Sequence, residues 1–558
     1  MSGEKPPTPA LEFPIEQIEA IIERAKVGAI SAEEYAQLRA VIQTFALLKE
    51  ELQSKKTSIQ RLKRMMFGAS TERTRDVLGE EPTDHRATGA VGTANTAGQK
   101  DRSDTEMKPG GHGRHAAAAY LGAQKVQIPH PSLSRGDGCP SCVDGKVYPM
   151  KDPGVRVRFS GVAPLQAQVY ECARLRCGLC GQMYTAPTPK GVGEQKYDET
   201  VPAVVGLLRY GVGLPFNRIE KLQANFGIPL ASSTQWGLVE PAGATYSPVY
   251  EKMQDYAAEG TVLYNDDTTM TVLGLTPQQR AAALGEEVAA KRTGVFTSGI
   301  VSIGEGHRIA LFFTGVRHAG ENLTQVLERR PKTLPPPIQM CDGLDHNLPK
   351  ELETLLCRCN AHARRKFVDV AASFPAEVRF VLLTLKEIYQ TDARARQECL
   401  SPQDRLKLHQ DESKPRMEAL HAWMKEQFAQ RKVEPNSGLG EALSYMDKNW
   451  EGLTRFLHVA GAPLDSNSVE RALKRAIQHR KNSLFYKTLN GARVGDTFMS
   501  LIHTAELNDE NAFDYLVALL RHPAQIAAHP GEWMPWTFRL TLQRLSAGPD
   551  PPAQDPGP

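Results

Sequence analysis

Cysteine is scarce in this sequence, with nine in 558 residues. A disulfide scaffold is thereby excluded, and the spacing of those few cysteines matters more than their number. Long hydrophobic runs are missing too. None approaches the roughly 18 residues a membrane span needs. The opening MSGEKPPTPALEFP lacks the basic-then-apolar order of a signal peptide, so the expected location is the cytoplasm, with no membrane partner. Nor is there an excess of one charge. Lys and Arg number 67 against 64 Asp and Glu, a net +3, which excludes a uniformly basic, histone-like binder. What is present is ordinary globular material, 41% hydrophobic and 23% charged, in a chain long enough for several domains.

Leu38, Val41, Phe45, Leu48, Leu52, Lys55, Ile59, Leu62 and Met66 follow alternating spacings of three and four. Such a seam predicts a coiled coil and hence a homo-oligomer, the rival being a helix packed on its own protein. Lys55, Lys56, Arg61, Lys63 and Arg64 stand near its end with no acid between Gln53 and Thr71, a basic patch suited to DNA. The periodicity vanishes over 77–124, which reads as a linker. Residues 193–257 are helical in pattern. There NRIEKLQANF, a GIPL turn and a second helix capped by Ser232 or Ser233 and carrying Thr234, Gln235 and Trp236 suggest either a helix-turn-helix or plain helix packing. Strand patterns begin at Thr261 with TVLYNDDTTMTVLG and continue in two runs separated by Gly304-Glu305-Gly306, then in Ile338–Cys341. Residues 351–460 are mostly helical, as are 468–481 and 496–523, and 541–558 read as a disordered tail. The expected class is a multidomain α/β protein with a mixed sheet interrupted by a helical insertion.

Cys139-Pro140-Ser141-Cys142 and Cys177-Gly178-Leu179-Cys180 are two C-x-x-C knuckles. Four thiolates on two tight turns can close a tetrahedral Zn²⁺ site, and the strand-like VRVRFSGV and QAQVYEC between them would fill a zinc ribbon over 125–192. A redox pair is the alternative, and Cys172 is a spare thiol nearby. Three acids stand in three contexts: Asp266 beside Asp267 within a strand, Asp342 after the run IQMC, and Glu470 on the helix SNSVERALKRAIQHR. Carboxylates so distributed can converge on two divalent cations. Each also has a simpler explanation, as an edge charge, a turn former, or a capping-box partner of Asn467. On the Glu470 helix, Val469, Ala472, Leu473, Ala476 and Ile477 form the buried stripe, with Glu470, Lys474 and Lys481 along one flank. Arg471, Lys474, Arg475, Arg480, Lys481, Lys487 and Arg493 lie in a stretch without acids, interleaved with Phe485 and Tyr486, which suits a polyanion. CNAHARRKF offers Cys359, His362, Arg364, Arg365 and Lys366, and its Cys-x-x-His is half a metal site at most.

Taken in order, the heptad helix ending RMMFGASTER, the knuckles, YGVGLPFNRIEKLQANFGIPLASSTQW, NDDTTMTVL, CDGLDHN, CNAHARRKF and LDSNSVERALKRAIQHRKNSLF resemble the transposases of the IS66 family of bacterial insertion elements. The resemblance implies an RNase H-like core over 258–350 and 461–540, split by the insertion at 351–460 and preceded by the coiled-coil region 1–76 and the zinc ribbon. It implies a DDE triad of Asp266, Asp342 and Glu470 holding Mg²⁺ or Mn²⁺, and matches Cys359 and His362 to the insertion's Cys-x-x-His element. It further implies cutting and joining of double-stranded DNA at element ends and target, with possible element-encoded accessory proteins. The motifs depart from the family's usual residues at Asp267 and Thr269, at Gly343-Leu344 and at Ser466, and the first departure leaves Asp267 as an alternative ligand to Asp266. A catalytically inactive zinc-ribbon regulator and a general nuclease of the same core are the rival readings.

Overall fold

A computed structural model describes residues 195–547 apart from 351, and before them 31, 74, 77, 129, 131–141, 144–148, 162–176, 183–187 and 189–190. The heptad seam, Lys63, Arg64, Cys142, Cys177 and Cys180 lie outside the described residues. The chain divides into two compact units. One comprises 1–82, 360–450 and 456–460, the other 83–359, 451–455 and 461–558.

In the larger unit a hairpin of β1 (Arg174–Arg176) and β2 (Met183–Thr185) brackets the second knuckle in sequence. QAQVYEC, expected as a strand, has no regular structure; pairing begins only at Arg174. The chain then enters α1 (Thr200–Gly206), a π-helical turn over Leu207–Gly211, α2 (Phe216–Asn225) and α3 (Ser232–Ala258). Neither serine caps α3. Ala231 holds the N-cap position, and Ser232 gives its N–H and hydroxyl to Glu220 on α2. Gln235 is fully buried and bonds the carbonyls of Phe216 and Leu230, so the start of α3 is fixed against α2. The helix then runs on for 27 residues into the core, burying Val239, Tyr246, Val249 and Met253.

The sheet comprises β3 (Val262–Thr269), β4 (Phe296–Ile303), β5 (Arg308–Gly315), β6 (Ile338–Cys341) and β7 (Leu355–Arg358), in spatial order β5-β4-β3-β6-β7. The first three pair antiparallel, and β3, β6 and β7 run parallel. β7 falls within the stretch read as helical insertion. Its four residues, LLCR, are too few to show a period of two. Between β3 and β4 stand α4 (Pro277–Leu284), closed by a capping box at Thr276, and α5 (Glu286–Lys291). Between β5 and β6 stands α6 (Ala319–Leu327).

After the smaller unit come α11 (Asn467–Ser483), α12 (Leu489–Leu507), α13 (Ala512–Arg521), α14 (Pro523–Ala528) and α15 (Phe538–Ala547). The last of these reaches beyond residue 541, where a tail was expected. Helix α12 lies along the free edge of β5. Its Asp496, Ser500, Thr504 and Asn508, spaced by four, accept the N–H groups of Thr314, Phe312, Ala310 and Arg308, spaced by two. Four helical residues rise about 6 Å and two strand residues nearly 7 Å, so the repeats stay in step and the edge is covered.

The smaller unit contains α7 (Asn360–Val370), α8 (Pro375–Gln397), α9 (Pro402–Ala429) and α10 (Gly438–Lys448). Buried Asp392 on α8 ties α8 to α9 by accepting from Arg405 at 2.7 Å and approaching His409 at 3.3 Å. Burial works against its charge, but the His409 bond and the Arg405 guanidinium hold its carboxyl below the usual range.

Candidate functional site

The adjacent acids of β3 point to opposite faces of the sheet, because strand side chains alternate. Asp266 pairs with Gly299 and Asp267 with Ser298. Directly paired residues share a face. A Cβ built on Gly299 would stand 3.0 Å from Leu473 and 3.4 Å from Val469, so α11 packs on the face that Asp266 shares. Ser298 accepts a hydrogen bond from Asn322 on α6, so Asp267 belongs to the α6 face. The choice between Asp266 and Asp267 thus becomes geometric: only Asp266 lies on the same face as the helix carrying Glu470.

Asp342 follows β6. Tyr264 pairs with Met340 in the parallel register. Continued by two residues, that register sets Asp266 abreast of Asp342. One oxygen of Asp342 accepts from Leu344 N–H at 3.0 Å and from Asn347 Nδ2 at 2.7 Å. Asn347 is itself fixed from below. Its carbonyl accepts from buried Asn265 at 2.7 Å and buried Gln339 at 2.9 Å, and Gln339 Nε2 also bonds Asn265 Oδ1. Three buried residues, Asn265, Gln339 and Asn347, thus lock the loop CDGLDHN to β3 and β6. The carbonyl of Asp342 accepts from Arg358 on β7, whose guanidinium also lies 3.4 Å from Cys341 Sγ. Burial pushes the Cys341 thiol up to about 12 against the pull of Arg358, so the sulfur between the acids stays protonated.

Glu470 sits in the first turn of α11. Ser466, not Asn467, is the N-cap, which removes the capping box proposed for Glu470 with Asn467. The Ser466 hydroxyl lies 3.2 Å from both a Glu470 carboxylate oxygen and Cys359 Sγ, and its N–H donates to the same sulfur at 3.3 Å. Cys359 is buried and anchors the turn that presents Glu470. His362 and Arg365 lie on α7, where His362 is part-buried and Arg365 exposed.

The buried stripe of α11 is Val469, Ala472, Leu473, Ala476 and His479. Ile477, expected in the stripe, is only half-buried, and His479 takes its place, stacked against Tyr486 at 4.5 Å; burial lowers the His479 pKa to about 3, which keeps it neutral. Not all the basic residues of this helix face outward with free charge. Arg475 is paired with Glu506, and Arg480 bonds the Thr269 carbonyl and the hydroxyls of Thr268 and Thr269. Arg471, Lys474 and Lys481 are exposed.

Asp266 and Asp342 thus stand abreast on two adjacent strands, and the helix carrying Glu470 packs on the face of Asp266. Among the described residues, the three acids do not together bring one ligand atom each within 4.8 Å of one another. The oxygen-only donor set suits a hard cation such as Mg²⁺ or Mn²⁺. A cavity of about 750 Å³ lined by Tyr250, Arg317, Arg493 and Asp496 contains none of the three.

Of the two C-x-x-C knuckles, the described part is the turn at Cys139. The N–H of Ser141 lies 3.4 Å from Cys139 Sγ, Cys139 N–H bonds Gly145, and Gly138 bridges Lys146 antiparallel. A sulfur receiving a backbone N–H on a tight turn suits a thiolate ligand.

Sequence reasoning overlooked Asn347, Arg358, Asp496 and His318. Asn347 ends the motif CDGLDHN and Arg358 lies within the missed strand. For Asp496 the signal was its spacing of four from Ser500, Thr504 and Asn508.

Residues 195–494 match the family model described as Transposase IS66 family, more than half of the 558-residue chain. The chain is also similar to three uncharacterized proteins of Sinorhizobium fredii (strain NBRC 101917 / NGR234). It is 25% identical to y4jD over 82% of this chain and 89% of that protein. It is 25% identical to y4hP over 67% and 69%, and 32% identical to y4qI over 33% and 34%.

Proposed function

The chain belongs to the IS66 family of transposases, with a transposase-related function, and on that premise we propose that it cuts and joins DNA strands at insertion-element ends by metal-dependent phosphoryl transfer. The observation that carries this reading is the register of two neighbouring parallel strands, which sets Asp266, within β3, abreast of Asp342, just after β6, with the Glu470 helix packed on the face of Asp266. The order β5-β4-β3-β6-β7, antiparallel then parallel, supports the RNase H-like core the family implies.

Asp266 and Asp342 would share two Mg²⁺ or Mn²⁺ ions and Glu470 would hold one of them. Bound there, the cations supply water or 3′-hydroxyl activation and stabilisation of the leaving oxygen. The protein's part is orientation. Leu344 and Asn347 fix one oxygen of Asp342, Ser466 and Cys359 fix the turn of Glu470, and the amide network ties the Asp342 loop to β3 and β6. Exposed Arg471, Lys474 and Lys481 would meet the phosphate backbone of double-stranded DNA. Zn²⁺ would be held by Cys139, Cys142, Cys177 and Cys180, the heptad helix would pair two copies, and element-encoded accessory proteins would be further partners.

The deciding experiment is cleavage and strand transfer with purified protein, candidate end DNA and Mg²⁺. Wild type is expected to join 3′ ends to target DNA, and Glu470→Gln to lose at least about 100-fold in rate while still binding DNA. Equal rates for the two proteins would overturn the catalytic assignment and favour a DNA-binding regulator.

A further inference from the structure

We propose that Asp267, His318 and His346 form a transition-metal site on the α6 face of the sheet, separate from the acid triad. Asp267 cannot serve the α11 face, because it pairs with Ser298 and turns the other way. Its carboxylate instead lies 2.9 Å from Nδ1 of His318, the residue before α6, and accepts the Ala319 N–H at 3.3 Å. His346 arrives from the loop after β6 and sets its ring 4.4 Å, centroid to centroid, from that of His318. One ligand atom from each of the three lies within 4.8 Å of the others.

The chemistry of the donors selects the ion. Two imidazoles and one carboxylate suit Zn²⁺ and similar borderline cations, whereas Mg²⁺ is held by oxygens. Tetrahedral ligands at about 2.0–2.1 Å from zinc stand about 3.3 Å apart. The Asp267–His318 pair, at 2.9 Å, stands about 0.4 Å inside that separation, so a small outward shift admits the ion. His346 is exposed on a short 3₁₀ turn, Asp345–Asn347, and is the ligand able to move inward. His318 is held more firmly: Phe296 packs on its ring at 4.1 Å, and its backbone N–H donates to Glu321, which pairs with Arg292. Any proton shared between His318 and Asp267 is released when the metal enters.

Position gives the site its consequence. His346 lies four residues after Asp342 on the loop locked by Asn347, so a metal here would clamp that loop to β3 from the opposite face. Zinc binding itself does not depend on the proposed reaction, and failure of either leaves the other standing.

The test is Zn²⁺ titration of the full chain by calorimetry in excess Mg²⁺, which occupies oxygen sites, together with metal content after dialysis. Wild type is expected to bind one equivalent more than His346→Ala and His318→Ala, or to bind that equivalent at least about tenfold more tightly. Cys139→Ser should keep this equivalent while losing the ribbon's. His346→Gln, at an exposed position, guards against misfolding and should behave as His346→Ala does. Equal stoichiometry and affinity in wild type and the His346 variants would overturn the site, as would loss only in His318→Ala.

Discussion

Asn347→Ala separates the placement of a carboxylate from the stability of the fold. In the wild type, Asn347 Nδ2 donates to Asp342 at 2.7 Å, while the amide Oδ1 is buried without a partner. Truncation removes one hydrogen bond to a carboxylate, worth about 1.5–3 kcal/mol, and removes the orphaned oxygen with it. The main-chain carbonyl that Asn265 and Gln339 bond is untouched. Stability should therefore fall by no more than about 1 kcal/mol, measured by chemical denaturation. Asp342 keeps the Leu344 N–H at 3.0 Å, so its mean position survives but its rotamer loosens. The expected loss in Mg²⁺-dependent strand cleavage is about tenfold, the low end of that energy range, with the Mg²⁺ midpoint moved upward. Asn265→Ala should do the reverse in proportion, costing about 1–3 kcal/mol of stability because it opens the buried network. Wild-type cleavage at a wild-type Mg²⁺ midpoint in Asn347→Ala would refute the claim that this amide positions Asp342.

Three further outcomes follow from the same structure. Gly299→Val places new methyl groups against Leu473 and Val469 and should destabilise by about 1–3 kcal/mol; Leu473→Ala in the same chain should recover part of the loss, and strict additivity in the double-mutant cycle would count against the close approach of α11. Asp496 has its carboxyl raised to about 7 by burial, against the Thr314 hydrogen bonds, so the folded protein holds this proton more tightly than the unfolded chain. Its stabilising contribution is full below about pH 4 and is lost as pH rises through 7, by up to about 4 kcal/mol; Asp496→Asn should lack this slope, and parallel stability profiles for the two proteins would contradict it. Replacing Lys474 and Lys481 with Ala should reduce the slope of log affinity for duplex DNA against log salt by about 0.9 for each phosphate no longer neutralised, whereas an unchanged slope would remove both lysines from the DNA path.

β3, β4 and β5 could be read from residues alone, because eight-residue runs rich in β-branched and aromatic side chains and bounded by turns suit strands, and β6 was marked by the three prolines before its short apolar run. β7 could not, since its four residues carry no period and no breaker directly precedes them. The candidate acids were visible as types in motifs, but the face each occupies was not. Asp266 and Asp267 are identical in chemistry, and only their partners across the strand, Gly299 and Ser298, distinguish them. The amide network was hidden for another reason. Asn265, Gln339 and Asn347 look like ordinary polar residues until a parallel pairing of distant strands brings them together, and no local pattern encodes that pairing.

Charge counting shows the same gap between residue type and residue role. The acid-free run on α11 suggests five or more cations offered to DNA, yet Arg475 answers Glu506 and Arg480 answers the end of β3. Those two guanidiniums fix α11 against its own unit, Arg471 bonds the Asn467 carbonyl within the helix, and Lys474 and Lys481 stay exposed as the cations proposed to meet phosphate. Planar, multidentate arginine suits the internal task and flexible lysine the external one. The near-neutral balance of the chain therefore does not measure its affinity for DNA. What matters is how many cations the fold leaves uncommitted on one face, and on this helix that number is smaller than the sequence suggests.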